Sequence, residues 1–208
     1  MKPLLYVIPS GLPLAIPMGL ALGIVCGTAK RVSRAPSLNL IVLLTIVCTA
    51  AVFADLLWIV PDANQAYRLS TWGPDALRGA NELTFRELRS LIWGLGQYGP
   101  RGPLEAPHDM RTLAFSYYTR WALLWATPFF AFFTFSMTGG RFWRAVAASA
   151  AFLAYYELLY GGRHFVIVGT LPAGFAAWLP NAVLATVAFA SIVFHRFTGD
   201  PHTSIQSM

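Results

Sequence analysis

The sequence predicts an all-α polytopic membrane protein with about five transmembrane helices and one extramembrane amphipathic helix. Of its 208 residues, 56% are hydrophobic and only 12% are charged, whereas about 25% of an average globular domain is charged. The charges are unevenly spread, since none lies between residues 4 and 28. Apolar stretches of about 20 residues, at 1.5 Å per helical residue, match the roughly 30 Å hydrocarbon core of a bilayer.

Five apolar stretches are interpreted as transmembrane helices, and they divide the chain into four parts. Residues 1–60 contain two of these helices and residues 119–196 contain three. Residues 61–118 are predicted to form a connection outside the cytoplasm, and residues 197–208 a disordered tail. The five stretches cover about 4–27, 38–60, 119–139, 142–160 and 173–194.

The first apolar stretch is interpreted as a retained transmembrane helix rather than a cleaved signal peptide. Its apolar run is longer than the 7–15 residues of a signal-peptide core. Pro9, Pro13 and Pro17 each remove a backbone donor, so we expect irregular structure first and a regular helix from about Pro17.

The basic residues in the short connections predict the orientation of the chain. Six of them would lie on one side of the membrane and two on the other. Because basic residues accumulate on the cytoplasmic side, this bias places the C-terminus in the cytoplasm and residues 61–118 outside. The larger group is Lys30, Arg31, Arg34, Arg141, Arg144 and Arg196, and the smaller is Lys2 and Arg163.

Residues 83–95 are predicted to form the amphipathic helix. Thr84 and Glu87 have the spacing of a capping box, and Leu83 can pack onto Leu88 as a hydrophobic staple. Apolar residues recur at helical spacing on one face while charged residues occupy the other. Such a helix is expected at the membrane interface or across the ends of the transmembrane helices.

Ionisable groups within or beside the apolar stretches are the candidate polar contacts for a lipid, because burying them in a membrane is costly. These candidates are Asp55, Arg120, Glu157 and Arg163. For each of them a structural role is the alternative. Arg120 can extend towards the interface, and Glu157 can pair with Arg163 or Arg120 near the outer surface.

Composition and spacing argue against several function classes. The net charge is +6, but the basic residues lie in the gaps between apolar stretches, so nucleic-acid binding is not expected. No histidine pair has metal-ligand spacing, and no nucleotide-binding or hydrolase motif is present, so neither an enzyme nor a cofactor or metal site is expected. Cys26 and Cys48 lie in apolar stretches and are interpreted as small core residues.

Three short motifs occur in a fixed order along the chain. Residues 56–68 contain the pattern V-P-x-A-N, residues 83–89 contain R-E-L, and residues 169–181 read G-T-L-P-A-G-F-A-A-W-L-P-N. The third motif is the longest of the three, so a chance match to it is the rarest. The motif residues singled out are Pro61, Asn64, Glu87, Trp178, Pro180 and Asn181.

In these motifs the chain resembles the LptF/LptG family, the permease subunits that extract lipopolysaccharide in Gram-negative envelopes. The resemblance implies a multi-pass subunit of the bacterial inner membrane, linked to lipopolysaccharide or lipid export. It also implies a cytoplasmic ATPase and a second permease subunit as partners. The six motif residues are interpreted as architectural, because proline and asparagine cap or break helices and tryptophan anchors at an interface.

The chain also departs from the family's pattern. It is expected to be a short form that lacks the family's first helix, its coupling helix and its periplasmic β-jellyroll. Residues 28–38 are too few for the coupling helix, and the jellyroll would fall between residues 67 and 82. The alternative is a non-transporting membrane scaffold or assembly factor that retains a permease half-fold. A small permease for another lipid is a third possibility.

Overall fold

The computed structural model describes residues 12–13, 15–25, 38–72, 82–93, 110–137 and 140–197. Every regular element in these ranges is helical, which confirms the all-α prediction for the described part of the chain. The helices are α1 (Ala15–Val25), α2 (Leu38–Ala54), α3 (Val60–Trp72), α4 (Phe85–Ile92), α5 (Met110–Ser136), α6 (Arg141–Val168) and α7 (Ala173–Phe197).

Helices α2 and α3 are joined without a break by a π-helical turn at Asp55–Ile59. The prediction that this helix ends at Val60 was therefore wrong, because Pro61 lies inside a helix that runs to Trp72. Pro61 cannot donate to the carbonyl four residues earlier, and its ring crowds that carbonyl. The wider π-helical turn just before it is the kind of local adjustment that accommodates such a residue.

Three other predicted boundaries differ from the structure. Helix α6 continues past the predicted end at Tyr160 to Val168, where Gly169 ends it with φ of 86°. Helix α5 begins at Met110 instead of residue 119, and the amphipathic helix covers Phe85–Ile92 instead of 83–95. A glycine inside a helix costs only about 1 kcal/mol relative to alanine, and packing against neighbouring helices can offset this cost. This explains why α6 continues through Gly161 and Gly162.

The largest buried cluster lies between α5, α6 and α7. Helix α5 contacts α7 most extensively, and α6 packs against both. Helices α6 and α7 are in close contact at Gly162, where an added Cβ would lie 3.1 Å from the Ala176 carbonyl oxygen. The short connection from α5 to α6 is as predicted, since α6 begins at Arg141.

Helix α4 is held at one end of this bundle, which we call the α4 end. The predicted capping box is confirmed: Thr84 Oγ1 accepts from the Glu87 N–H, and Glu87 Oε2 accepts from the Thr84 N–H at 2.8 Å. Leu83 and Leu88 are fully buried together with Leu113 of α5, as a hydrophobic staple requires.

Two of the described helices are long and apolar enough to cross a membrane, Asn39–Leu69 and Ala173–Phe194. Helices α5 and α6, with 27 and 28 residues, are also long enough to cross a membrane. Their charged residues and tryptophans lower their mean hydropathy, so they are less apolar than the two helices above. The described part of α1 is shorter, and its regular helix includes Pro17. Irregular structure was predicted up to about Pro17, but residues 12–13 and 15–16 are already helical. The residues before 12, the connection at 28–37 and the tail from residue 198 lie outside the described residues.

Candidate functional site

Arg120 is buried at the α4 end of the bundle, although a position exposed at the interface was one expectation for it. Its Nη1 donates to the Leu83 carbonyl oxygen at 2.6 Å, and its guanidinium lies 5.5 Å from the centre of the Phe85 ring. Glu87 supplies the opposite charge nearby. We call Leu83, Phe85, Glu87 and Arg120 the Arg120 cluster, and its geometry joins α4 to α5.

A second buried charge pair lies just before α4 in the chain, and it was not predicted from the sequence. Arg68 Nε lies 2.7 Å from Glu82 Oε2, and both side chains are over 90% buried. The pair joins the end of α3 to the residue just before the Arg120 cluster. The sequence offered only one sign of this pair, an arginine and a glutamate at the two ends of the connection between α3 and α4. Oppositely charged residues at the ends of a connection are too common to identify an ion pair.

Asp55 is the most unusual of the predicted candidates. It begins the π-helical turn, only 2% of its surface is exposed, and both carboxylate oxygens lack a hydrogen-bond partner in the described structure. Buried carboxylates are normally hydrogen-bonded or paired, because desolvation is costly. Single-turn π-bulges also occur frequently at functional sites. These two observations make Asp55 the candidate for a role that folding does not explain.

Glu157 and Arg163 lie on the exposed surface of α6. The structure shows no ion pair between Glu157 and either Arg163 or Arg120, so neither predicted pairing is formed in the described residues. Because α6 continues to Val168, Glu157 is about 16 Å from the end of its helix at 1.5 Å per residue. The expected position close to the helix end was wrong for this reason.

The motif residues of α7 lie against α5. Asn181 is buried, and its Nδ2 donates to the Ala122 carbonyl oxygen at 2.8 Å. Pro180 is inside α7 and has no N–H for the Ala176 carbonyl, which is the oxygen that Gly162 approaches. Trp178 packs against the buried cluster of α5, α6 and α7. Each of these contacts fits an architectural role.

The remaining motif residues are also placed within the helical framework. Pro61 is buried one residue into α3, and Asn64 is partly buried one turn later. Glu87 serves both the capping box and the Arg120 cluster. The structure therefore brings Glu87 and Arg120 together.

Replacing Asn181 with leucine is expected to loosen the contact between α5 and α7. The change removes the bond to the Ala122 carbonyl, and a typical hydrogen bond within a protein contributes about 1 kcal/mol. We expect the melting temperature in detergent to fall by about 2–4 °C. Thr186→Val is the matched control, because the Thr186 hydroxyl bonds only within α7 and is exposed. An equal shift in both variants would contradict the assignment.

A cavity of about 380 Å³ lies between α5, α6 and α7. Its walls are apolar, and they include Tyr155, whose hydroxyl is buried without a hydrogen-bond partner in the described structure. The lining residues are Phe133, Ala147, Ala150, Ala151, Ala154, Tyr155, Leu158, Pro180, Val183, Leu184 and Val187.

Among the described residues, no group of three or more histidine, cysteine, aspartate or glutamate side chains is placed to hold a metal ion. Comparison of the chain with family models, with curated proteins and with solved structures gives no match.

Proposed function

We propose that this chain is an LptF/LptG-like permease-type subunit of the bacterial inner membrane. It would take part in the export of lipopolysaccharide or a related lipid, with a cytoplasmic ATPase supplying the energy. Its C-terminus would lie in the cytoplasm and the α4 end of the bundle would face the periplasm. The chain itself would be non-enzymatic, and its own contribution would be to contact and guide the lipid.

The observation that carries the membrane part of this proposal is the surface of the helix Asn39–Leu69. The α2 part of this helix is apolar on all sides, yet only 22% of the most apolar stretch of the helix is buried inside the protein. A helix that is apolar all round must be surrounded by protein or lipid. Its exposed side chains include Leu40, Val42, Leu43, Leu44, Ile46 and Val47.

The lengths and ends of α5 and α6 support the same environment. With 27 and 28 residues, each is about 40 Å long, which exceeds the roughly 30 Å core of a bilayer. At its first turn α6 exposes Phe142 and Trp143 next to Arg141. Aromatic and basic residues at one helix end are typical of a helix that leaves the membrane at the cytoplasmic face.

The exposed face of α6 supports the presence of a second subunit. Glu157 lies on this face, well inside the helix, between the exposed side chains of Leu153 and Tyr160. A carboxylate facing lipid at this depth would be costly, whereas one facing a protein partner or a polar cavity would not. We therefore place the contact with a second permease chain at this face.

The permease is preferred to the scaffold because of Asp55. A scaffold needs no buried carboxylate without a partner, and such a group lowers stability. The scaffold nevertheless has support, since the Arg120 cluster and Asn181 both act as structural contacts. The two functions differ in the partners that they require.

Affinity purification from mild-detergent extracts of native membranes tests the proposal. We expect the tagged protein to stay with membranes after carbonate washing and to co-purify with a nucleotide-binding ATPase and a second permease chain, both identified by mass spectrometry. Glu157→Leu should reduce recovery of the second permease chain. Ala190→Leu, at an exposed position of α7, should leave recovery unchanged.

Two outcomes would contradict the proposal. Release of the protein by carbonate would exclude a membrane-spanning subunit of any kind. Retention in the membrane with only unrelated membrane enzymes co-purifying would favour the scaffold instead.

A further inference from the structure

The cavity between α5, α6 and α7 has the form of a groove that follows the two long helices. Gly162 of α6 lies against Ala176 of α7, and Leu158 and Pro180 continue this antiparallel register into the groove. At 1.5 Å per residue the α6 wall, from Leu158 to Ala147, is about 16 Å long, and the α7 wall, from Pro180 to Val187, is about 10 Å long. The helices are therefore in close contact on one side of Pro180 and separated on the other.

The composition of the two walls explains why a space is left. On α6 the lining residues are mostly alanines at helical spacing, and on α7 they are branched or cyclic apolar residues. Small residues usually allow two membrane helices to approach closely. Here the close approach occurs at Gly162. Beyond it, the α7 side chains do not fill the space beside the α6 alanines.

The dimensions of the groove favour a hydrocarbon chain over a protein helix. A volume of about 380 Å³ spread along these walls leaves a passage narrower than an α-helix, whose diameter with side chains is about 10–12 Å. The α6 wall is also close to half of the roughly 30 Å bilayer core, which is the depth that one lipid chain occupies.

The charge at one end of the groove indicates the headgroup. Arg144 lies one turn before Ala147 on the same face of α6, and its Nη2 donates to the Thr134 carbonyl oxygen at 3.2 Å. A lipid whose chain fills the groove would place its headgroup beside this guanidinium. Arginine near the cytoplasmic face attracts anionic lipid headgroups.

We propose that this groove binds one acyl chain of an anionic phospholipid of the cytoplasmic leaflet, with the lipid phosphate beside Arg144. The inference rests on the proposed membrane location and goes beyond the proposed export function. The chain lies between the alanines of α6 and Val183 and Val187 of α7, with Phe133 of α5 as part of the wall.

Photo-crosslinking in lipid nanodiscs tests this inference. The full-length protein is placed in nanodiscs of phosphatidylethanolamine and phosphatidylglycerol that contain a trace of phosphatidylglycerol with a diazirine in one acyl chain. After irradiation, mass spectrometry locates the labelled peptides. We expect labelling of residues 147–158 and 180–187 to exceed that of the exposed apolar surface of α2.

The variant Ala151→Phe fills the groove with a phenyl ring. Because the ring occupies the space that the acyl chain would take, labelling of the groove should fall to the level of the exposed α2 surface. Ala182→Phe adds the same ring to an exposed α7 position on the side of the helix away from the groove and should leave the labelling unchanged. Replacing the probe headgroup with zwitterionic phosphatidylcholine should weaken labelling in the wild-type protein but not in Arg144→Gln.

Three results would overturn the inference. Equal labelling of the groove and of α2, or labelling that Ala151→Phe does not reduce, would show only general contact with surrounding lipid. Protection of the groove by a second copy of the chain would identify a protein occupant. Failure of the protein to enter nanodiscs would overturn the proposed membrane location as well as the proposed lipid site. The first two results would overturn the lipid site alone.

Discussion

Arg120→Ala is expected to lower the melting temperature of the detergent-solubilised protein by about 6–12 °C. The arginine is 6% exposed and connects α4 to α5 through the Leu83 carbonyl, the Phe85 ring and the charge of Glu87. Removing one partner of a buried charge interaction costs about 3 kcal/mol or more, and here Glu87 is left without the opposite charge. For a chain of this size, 1 kcal/mol corresponds to about 2–4 °C.

Thermal unfolding followed by intrinsic fluorescence measures this effect, and Arg163→Ala is the matched control. Arg163 is exposed on α6, so its removal should change the melting temperature by less than about 2 °C. Limited proteolysis should also show faster cleavage around α4 in Arg120→Ala. Equal stability of the two alanine variants would mean that the Arg120 cluster does not hold α4.

Asp55→Leu is expected to have the opposite effect on stability. Because the Asp55 carboxylate is buried without a hydrogen-bond partner in the described structure, folding carries its desolvation penalty. Replacing it with an apolar side chain of similar size should stabilise the fold by about 2 kcal/mol, and should raise the melting temperature by about 4–8 °C. Asp62→Leu provides the control, since Asp62 is exposed two turns along the same continuous helix.

The same variant should reduce lipid export while the protein becomes more stable. Under the proposed function, a carboxylate that lowers stability is retained because transport needs it. Asp55→Asn, which keeps the shape of the side chain and removes its charge, should also reduce export at normal protein abundance. The readout is release of lipopolysaccharide from inner-membrane vesicles. A lower melting temperature for Asp55→Leu would show that the carboxylate has a stabilising partner, and unchanged export would leave it without a functional role.

Local sequence patterns predicted the elements whose causes are local. The capping box depends on two side chains three residues apart, and Thr84 and Glu87 form it as expected. The helical character of the described chain likewise follows from apolar stretches of the right length. The connection between α5 and α6 is short because few residues separate two such stretches.

Helix boundaries were harder to predict because packing outweighs propensity. Pro61 and the pair Gly161 and Gly162 were interpreted as helix ends, yet α3 and α6 continue through them. In each case the free-energy cost of placing the proline or the glycines inside a helix is a few kcal/mol at most. A continuous helix keeps the other backbone groups hydrogen-bonded, which matters most where no water is present.

The sequence alone determined that the described chain is helical, that α4 is capped by Thr84 and Glu87, and which few ionisable groups interrupt the apolar stretches. Only the tertiary structure decided what each of those groups does. It buries Arg120 in a structural contact, leaves Asp55 buried without a hydrogen-bond partner among the described residues, and exposes Glu157. The groove beside α6 also exists only in three dimensions. The physical reason is that burial and partners depend on which helices meet and in what register, and these contacts join residues far apart in the chain.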